Sequence, residues 1–596
     1  MLWAHGHQLI HMKKQLYTIM VLCLMMSQAF AQLDKNRTTA TRIADLLAQV
    51  PAENAAALTK NMQEVADLGK PGIVQIASML TPLGKGDNSK IQYAIGGFTY
   101  AATQSGKEAW RKMAAEAYGE ALSKVSDPDS KNFLIYQLQT VGKDESVDVL
   151  KSYLTDNRLS APAARALQRI GSPAAGAALY QALSGAKGGN QIAIVEALGG
   201  LRNKEAVSSI EKLASEGEAN LRKVALYALS EIGATSSEKI LAAAAQKASY
   251  RYDVTDATGV YVSYLSRLVQ NGEGALAEKA ALELIKNTPA PEQTATRSSA
   301  LKVYADSKKR ESVPVLVKAL ASNDSEYRAA ALKLGQKYTM ANGTAPWLAA
   351  LKSAKPVVQS EIITMLGRAE STDALPAVLK SLTSKDQAVK LAAIWAAGKI
   401  GQEKSVASLL PILKKGNASE ITAVKSALLT MKGDGVVDKI AAALPALPVS
   451  AQPAMVDVLA ARAASSKIGV VNALLKSSNA SVKSSAFAAL KSLATSNDLP
   501  QLFTLLNSVT SGDEISAVQK AIAAGVKGSG NVAAQSDLIL KQMAGSPAAS
   551  QPNYLAVLAS IGGKSALTSV EKAFNTGDAT TKSAAINALI AADFVV

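Results

Sequence analysis

Apolar residues recur along the chain at two scales. Within short segments they return at i, i+3, i+4 and i+7, as at Leu375, Val378, Leu379 and Leu382. That spacing gives one apolar stripe on an α-helix. Over longer distances one pattern recurs: an Ala-Leu pair, two further residues and then an apolar residue, which Gly often follows. The first closing apolar residues lie 29, 31 and 31 residues apart, at Val141, Ile170, Leu201 and Ile232.

A second run keeps the same period through Ala369, Ile400 and Met431, then Leu493, with Arg462 at the intermediate position. The period returns less strictly at Ile561 and Ala592. Each repeat holds two amphipathic helices, and one hairpin cannot bury its apolar stripe alone. The sequence therefore predicts an all-α fold, an α-solenoid of about sixteen stacked antiparallel hairpins.

Polar turns separate the helices. Ser384-Lys385-Asp386 supplies residues suited to a helix N-cap. Glycines such as Gly142, Gly171 and Gly233 follow the second helices, where a left-handed C-cap favours Gly.

Two segments resemble HEAT and HEAT-like repeats: residues 386–401 (DQAVKLAAIWAAGKIG) and 220–233 (NLRKVALYALSEIG). Prolines in the first helices, at Pro314, Pro376 and Pro411, are also similar to HEAT, whose first helix often kinks. The resemblance covers about residues 40–596. It implies a scaffold or binding protein and no particular reaction.

As a whole the chain resembles secreted bacterial HEAT-array proteins. Some of these continue into a C-terminal β-sandwich domain related to sugar-active proteins, which residues up to 596 do not include.

The first 31 residues are typical of a secretory signal. Lys13 and Lys14 follow Met12, the expected start, and an apolar stretch covers residues 16–26. Ala29-Phe30-Ala31 forms a cleavage site that leaves Gln32 as the mature N-terminus. A membrane anchor is disfavoured, because a spanning helix needs ~20 apolar residues. A lipid anchor at Cys23 is disfavoured by the bulky Leu22 before it.

The histidines and the cysteine all lie within the first 23 residues, at His5, His7, His11 and Cys23. The predicted mature chain therefore lacks Cys/His zinc sites, disulfides, and Cys or Ser–His nucleophiles. We expect no catalytic residues, no metal and no cofactor. An enzyme is the least favoured of three function classes.

The predicted mature chain carries a net charge of +14. No run of five like charges occurs, which favours a generally basic surface over a nucleic-acid-binding tail. The predicted organisation is a signal at 1–31, irregular helical repeats at 32–125, HEAT-like repeats at 126–308 and further HEAT-like repeats at 309–596.

The segment 249–267 (SYRYDVTDATGVYVSYLSR) breaks the 31-residue period and concentrates tyrosine and arginine, which often anchor binding. The alternative is that its tyrosines fill the core, which the i, i+3 spacing of two of them favours. Trp395 stands at a repeat position that Tyr227 and Arg165 occupy in other repeats, so we expect it to be semi-exposed. The candidate binding surface consists of Tyr250, Arg251, Tyr252, Tyr261, Tyr264, Arg267 and Trp395.

Two other groups are better explained by structure. Core packing is favoured for the aromatic cluster Tyr93, Phe98, Tyr100 and Trp110, and turn capping for Asp253, Asp256 and Asp127-Pro128-Asp129.

The leading function hypothesis is an exported, non-catalytic scaffold of the bacterial periplasm or cell surface that binds a protein partner. The alternative is an accessory protein that binds a glycan or another anionic polymer. Neither involves nucleic acid or a membrane-spanning segment. The apolar stretch 584–592, followed by Phe594, Val595 and Val596, lacks a capping helix, so we expect this end to meet another chain or domain.

Overall fold

The computed structural model describes residues 37–339 and 343–591. Regular secondary structure in these two ranges is helical throughout, and neither range contains a strand. The all-α prediction is therefore confirmed.

Contacts divide the chain into two compact units, the first ending at Ser307 and the second beginning at Lys308. The helices of the first unit are α1 Thr39–Ala48, α2 Ala55–Asp67, α3 Gly69–Ser78, α4 Ser89–Ala102, α5 Glu108–Lys124, α6 Pro128–Val141, α7 Val147–Lys151, α8 Ser160–Ile170, α9 Pro173–Leu183, α10 Gly188–Gly200, α11 Val207–Glu216, α12 Ala219–Ile232, α13 Glu238–Lys247, α14 Ala257–Gln270, α15 Gly274–Asn287 and α16 Thr294–Lys308.

The helices of the second unit are α17 Val313–Ala319, α18 Ser325–Tyr338, α19 Ala345–Ser353, α20 Pro356–Arg368, α21 Leu375–Ser381, α22 Gln387–Gly401, α23 Val406–Lys415, α24 Ala418–Thr430, α25 Gly435–Ala443, α26 Gln452–Ala461, α27 Ile468–Asn472, α28 Ala480–Leu493, α29 Leu499–Leu506, α30 Gly512–Gly528, α31 Val532–Ala544, α32 Gln551–Ile561, α33 Lys564–Thr576 and α34 Ala579–Ala591.

Consecutive helices pair as hairpins, so that odd-numbered helices are the first and even-numbered helices the second of each repeat. Seventeen hairpins lie within the described residues, close to the expected sixteen. Successive second helices pack side by side, as α8 to α14 do in the first unit and α20 to α30 in the second. Each unit is thus an α-solenoid with one layer of first helices and one of second helices.

The Ala-Leu pairs of the sequence pattern form the core between these layers. Leu167, Leu198 and Leu229 have no exposed surface, and neither do Ala166 and Ala228. Burying each leucine stabilises its repeat by about 1.5–3 kcal/mol. The 31-residue period is therefore the period of the shared core.

The helix ends follow the predicted chemistry in part. Asp386 caps α22, since its side chain accepts a hydrogen bond from the backbone N–H of Val389 at 3.0 Å. Gly171 and Gly233 have φ of 71° and 66°, the left-handed conformation that favours Gly. Gly142 is different, with φ of −68°. There a Cβ would lie 2.5 Å from the carbonyl oxygen of Leu138, so close approach explains this glycine.

The predicted secretory signal at residues 1–31 lies outside the described residues. No helix that the structure describes is both long and apolar enough to cross a bilayer. The same part of the chain contains no cluster of three or more carboxylate, His or Cys side chains placed to bind a metal ion.

Candidate binding surface

The Tyr-rich segment begins as a loop between α13 and α14. Ser249 and Tyr250 both have φ of 54°, and Asp256 has φ of 57°. Residues with a side chain rarely adopt this conformation, and it persists where surrounding contacts enforce it. The loop therefore needs external support.

Helix α16 and the turn before it supply that support. The Thr296 hydroxyl donates to the carbonyl of Tyr250 at 2.6 Å, and the Gln293 amide donates to the carbonyl of Ser249 at 2.8 Å. Arg251 forms an ion pair with Glu292. The loop is thus fastened to the following repeat, which gives it a structural role.

The three residues of this loop that were predicted to be exposed differ in their accessibility to solvent and in their contacts. Tyr252 is 51% exposed, and only a long 3.4 Å contact joins its hydroxyl to that of Ser299. Arg251 is exposed but paired. Tyr250 is half-buried, and burial raises the pKa of its hydroxyl. Tyr252 alone of the three presents a largely free aromatic ring.

Tyr261 and Tyr264 belong to the core, so the prediction that they form a binding surface was wrong and the core-packing alternative is correct. They are 4% and 0% exposed, and their ring centroids lie 6.4 Å apart. Tyr261 donates to Glu238 Oε1 at 3.0 Å, and Tyr264 donates to the carbonyl of Ala234 at 2.9 Å. Burial raises the pKa of both hydroxyls.

Arg267 is likewise not accessible to a binding partner. Its side chain is 16% exposed and pairs with Glu231 at 2.7 Å. A second nitrogen donates to Gln270 Oε1, also at 2.7 Å. Arg267 therefore connects α14 to α12, and its prediction as a binding residue was wrong.

The structure reveals a further set of exposed aromatic residues on the second helices of the first unit. Tyr100 on α4, Tyr136 on α6 and Tyr227 on α12 are 67%, 64% and 51% exposed. Arg165 is exposed on α8 between them. We call these four residues the tyrosine ridge.

Three members of the ridge follow the repeat register. Tyr136, Arg165 and Tyr227 each stand two residues before the buried leucine of the repeat motif. Tyr136 and Arg165 also line one groove of about 470 Å³ between α6 and α8. Neighbouring helices pack about 10 Å apart, so Tyr100 and Tyr227 are separated by roughly 40 Å. The ridge is therefore a long, shallow surface.

Sequence reasoning found Tyr227 and Arg165 through their alignment but missed the other two. It grouped Tyr100 with Phe98 as core, whereas Phe98 is 0% exposed and Tyr100 is largely exposed. Helix geometry separates the two, because side chains two residues apart on an α-helix point about 200° away from each other.

Trp395, on α22 of the second unit, is 37% exposed, in agreement with the semi-exposed position expected. Its ring lies against Gly367 of α20, where a Cβ would come within 2.5 Å of the indole Cζ3 atom. The glycine thus leaves room for the indole to lie on the neighbouring helix.

The charge is distributed unevenly, contrary to the expected general spread. Residues 37–307 carry 30 basic and 28 acidic side chains, whereas residues 308–591 carry 31 basic and 18 acidic ones. The net charges are +2 and +13. The basic surface therefore belongs to the second unit.

Residues 344–428 match the family described as HEAT repeats. The match extends across three hairpins, α19 to α24, and includes the segment 386–401 that carried the resemblance. Pro376 lies in the first turn of α21 and Pro411 inside α23. The chain thus contains HEAT repeats.

No curated protein sequence matches the chain. Similar solved structures include Kap95p with RanGDP, at 13% identity, with 93% of this chain and 87% of that chain covered and a TM-score of 0.40. Kap121p bound to RanGTP is similar at 10% identity, with 93% and 72% covered and a TM-score of 0.43. Neither similarity says what this chain binds.

Proposed function

We propose that the protein is an exported, non-catalytic scaffold that binds a protein partner through the tyrosine ridge. The observation that carries this proposal is the exposure of Tyr100, Tyr136 and Tyr227 on three second helices of one unit, α4, α6 and α12. Tyrosine and arginine are enriched at the energetic centres of protein interfaces, and exposed aromatic rings are otherwise unfavourable in water.

The surroundings of the ridge fit a protein surface better than a polyanion. The first unit is almost neutral, at +2. A long, shallow surface of tyrosines suits a folded partner, whereas small ligands prefer concave pockets that enclose them. Histidine and cysteine are absent after residue 23, which supports binding without catalysis.

Export to the periplasm or the cell surface of a bacterium is the second part of the proposal. It is supported by the basic, apolar and Ala-Phe-Ala segments within residues 13–31. N-terminal sequencing of the protein from its native cell should begin at Gln32. An uncleaved protein found in the cytoplasm would refute export.

The binding proposal is tested by capture from envelope extract, followed by titration with the purified captured protein. The triple variant Tyr100→Ala, Tyr136→Ala, Tyr227→Ala should weaken binding at least about 30-fold, equivalent to about 2 kcal/mol. Its melting temperature should stay unchanged, because the three side chains are exposed.

The matched control removes three exposed apolar side chains elsewhere, with Leu83→Ala, Val357→Ala and Val449→Ala, at positions that are 85%, 54% and 53% exposed. It should bind like the wild type. Equal losses in the two triple variants, or no loss in the tyrosine variant, would refute the ridge as the binding surface.

A further inference from the structure

A groove of about 580 Å³ runs between the second helices α18 and α20 of the second unit. Lys333 and Gln336 of α18 line one side. Ser360, Thr364 and Arg368 of α20 line the other side. The groove lies outside the tyrosine ridge and has no part in the proposed protein binding.

The groove keeps two uncompensated positive charges. Lys333 and Arg368 are exposed, and neither forms an ion pair within the described part of the chain. Glu361, the acidic side chain of the lining, is already held by Arg328 through two hydrogen bonds of 2.9 and 2.8 Å. A ligand carboxylate would therefore meet cations that have no competing partner.

Trp395 adds a flat apolar surface next to the groove. Its indole lies on Gly367, which stands between the groove residues Thr364 and Arg368 on α20. The other part of the ring remains open, because the residue is 37% exposed. An electron-rich indole attracts the weakly positive C–H groups on the apolar face of a sugar ring.

The neutral lining residues offer acceptors. The hydroxyl of Ser360 donates to the carbonyl of Val357, and that of Thr364 to the carbonyl of Ser360, both at 2.8 Å. Their oxygen lone pairs therefore remain available as hydrogen-bond acceptors. Gln336 is exposed and presents a further acceptor. These acceptors suit a ligand rich in hydroxyl donors.

We propose that this groove binds an acidic polysaccharide, with one sugar stacked on Trp395 and the carboxylates of successive sugars beside Arg368 and Lys333. The net charge of +13 on the unit would attract such a chain over longer distances. A single-stranded nucleic acid shares the charge and the stacking surface, but its backbone has fewer hydroxyl donors for these acceptors. The observations therefore favour the polysaccharide.

The test uses the mature full-length chain and a galacturonic acid hexamer, measured by calorimetry at about 50 mM salt. Trp395→Ala should raise the Kd at least tenfold, and Trp395→Phe should recover part of that loss. The pair Lys333→Ala and Arg368→Ala should also raise the Kd at least tenfold. The methyl-esterified hexamer, which lacks the carboxylates, should bind at least tenfold more weakly than the acid.

The matched control removes two exposed lysines of first helices in the same unit, with Lys318→Ala and Lys352→Ala, and should leave the Kd within about twofold. The absence of hexamer binding by the wild type would overturn the proposal. Equal losses of hexamer affinity in the two double variants would also overturn it. The same holds for unchanged affinity in Trp395→Ala, or for binding of single-stranded DNA as tightly as the hexamer. Circular dichroism checks that each variant is folded, and Lys333→Ala alone tests the groove if Trp395→Ala does not fold.

Failure of the polysaccharide proposal can be distinguished from failure of the protein-binding proposal. The triple tyrosine variant changes only the first unit, so it should keep the hexamer affinity of the wild type.

Discussion

The two units share one repeat architecture but present different chemistry to solvent. In the first unit, basic and acidic side chains nearly balance, and tyrosines stand exposed on the second helices. In the second unit, basic side chains outnumber acidic ones by 13, and Trp395 lies beside a groove with two unpaired cations. The same buried pattern thus supports two unlike surfaces.

This difference shows that core and surface positions of a solenoid vary independently. The buried Ala-Leu pair fixes how neighbouring hairpins stack, because each repeat contacts mainly its neighbours. The residue two positions before that leucine faces solvent and is free to differ, as Arg165 before Leu167 and Tyr227 before Leu229 illustrate. Repeat proteins therefore distribute binding chemistry along one face without altering the core.

The largest expected effect is a difference in stability between variants of a buried and an exposed tyrosine in the first unit. Tyr264→Ala should lower the free energy of unfolding by roughly 3–5 kcal/mol, because it empties a fully buried site. Tyr252→Ala should lower it by less than about 1 kcal/mol, since the ring is half exposed. Chemical denaturation of both variants measures the difference. Similar losses would show that the loop tyrosine is as much a part of the core as Tyr264.

A second prediction concerns high pH. Burial raises the pKa of Tyr118, Tyr261 and Tyr264 in the folded first unit. The stability that depends on their protonated form is complete below pH 10, the pKa of tyrosine in an unfolded chain, and is lost above it. Each raised hydroxyl should remove up to about 1.4 kcal/mol per pH unit above 10.

Denaturation at pH 9, 10, 11 and 12 tests this expectation, with Tyr264→Phe as the control. That variant should show a shallower loss, because it has one fewer ionisable group in the core. A flat profile to pH 12 would contradict the assignment of these tyrosines to the core.

Binding by the two units should differ in its dependence on salt concentration. Raising the salt concentration from 50 to 300 mM should weaken binding of the galacturonic acid hexamer at least tenfold, because screening weakens attraction between exposed charges. Binding of the protein partner to the tyrosine ridge should change less than about threefold. Equal salt dependence for the two ligands would remove the distinction between the surfaces.

The smallest effect concerns the last helix described. Ile586 and Ile590 of α34 are 41% and 79% exposed, and Phe574 of α33 is 42% exposed. Exposed apolar groups of this kind mark contact surfaces, so we expect this surface of α33 and α34 to contact another molecule. Ile590→Lys should reduce self-association in light scattering and binding of an apolar dye. An unchanged signal in both would argue against such a contact.

The sequence predicted the fold because the core pattern is periodic and repeated many times. Its predictions of solvent exposure were confirmed where a residue could be placed in that register, as for Trp395 and Tyr227. Its errors lie where the period breaks. For Tyr261, Tyr264 and Arg267, the irregular loop before α14 hid the register, and richness in tyrosine was taken as a sign of binding.

Other features depend on contacts between distant residues. Tyr250 is held by Thr296, 46 residues away, and no local pattern reveals this hydrogen bond. The position of the Trp395 indole likewise depends on a distant residue, because Gly367 on the neighbouring helix has no side chain to displace it. Charge asymmetry was visible in the sequence but required the boundary at residue 307 to be recognised.

The central claim is that the two units bind different ligands, and site-specific photocrosslinking tests it most directly. Benzoylphenylalanine would replace Tyr136 in one sample and Trp395 in another, both in the intact chain within envelope extract. We predict a protein crosslink at position 136 that excess galacturonic acid hexamer does not reduce, and no crosslink to that protein at position 395. The same protein crosslinked at both positions, or a crosslink at position 136 abolished by the hexamer, would contradict the account.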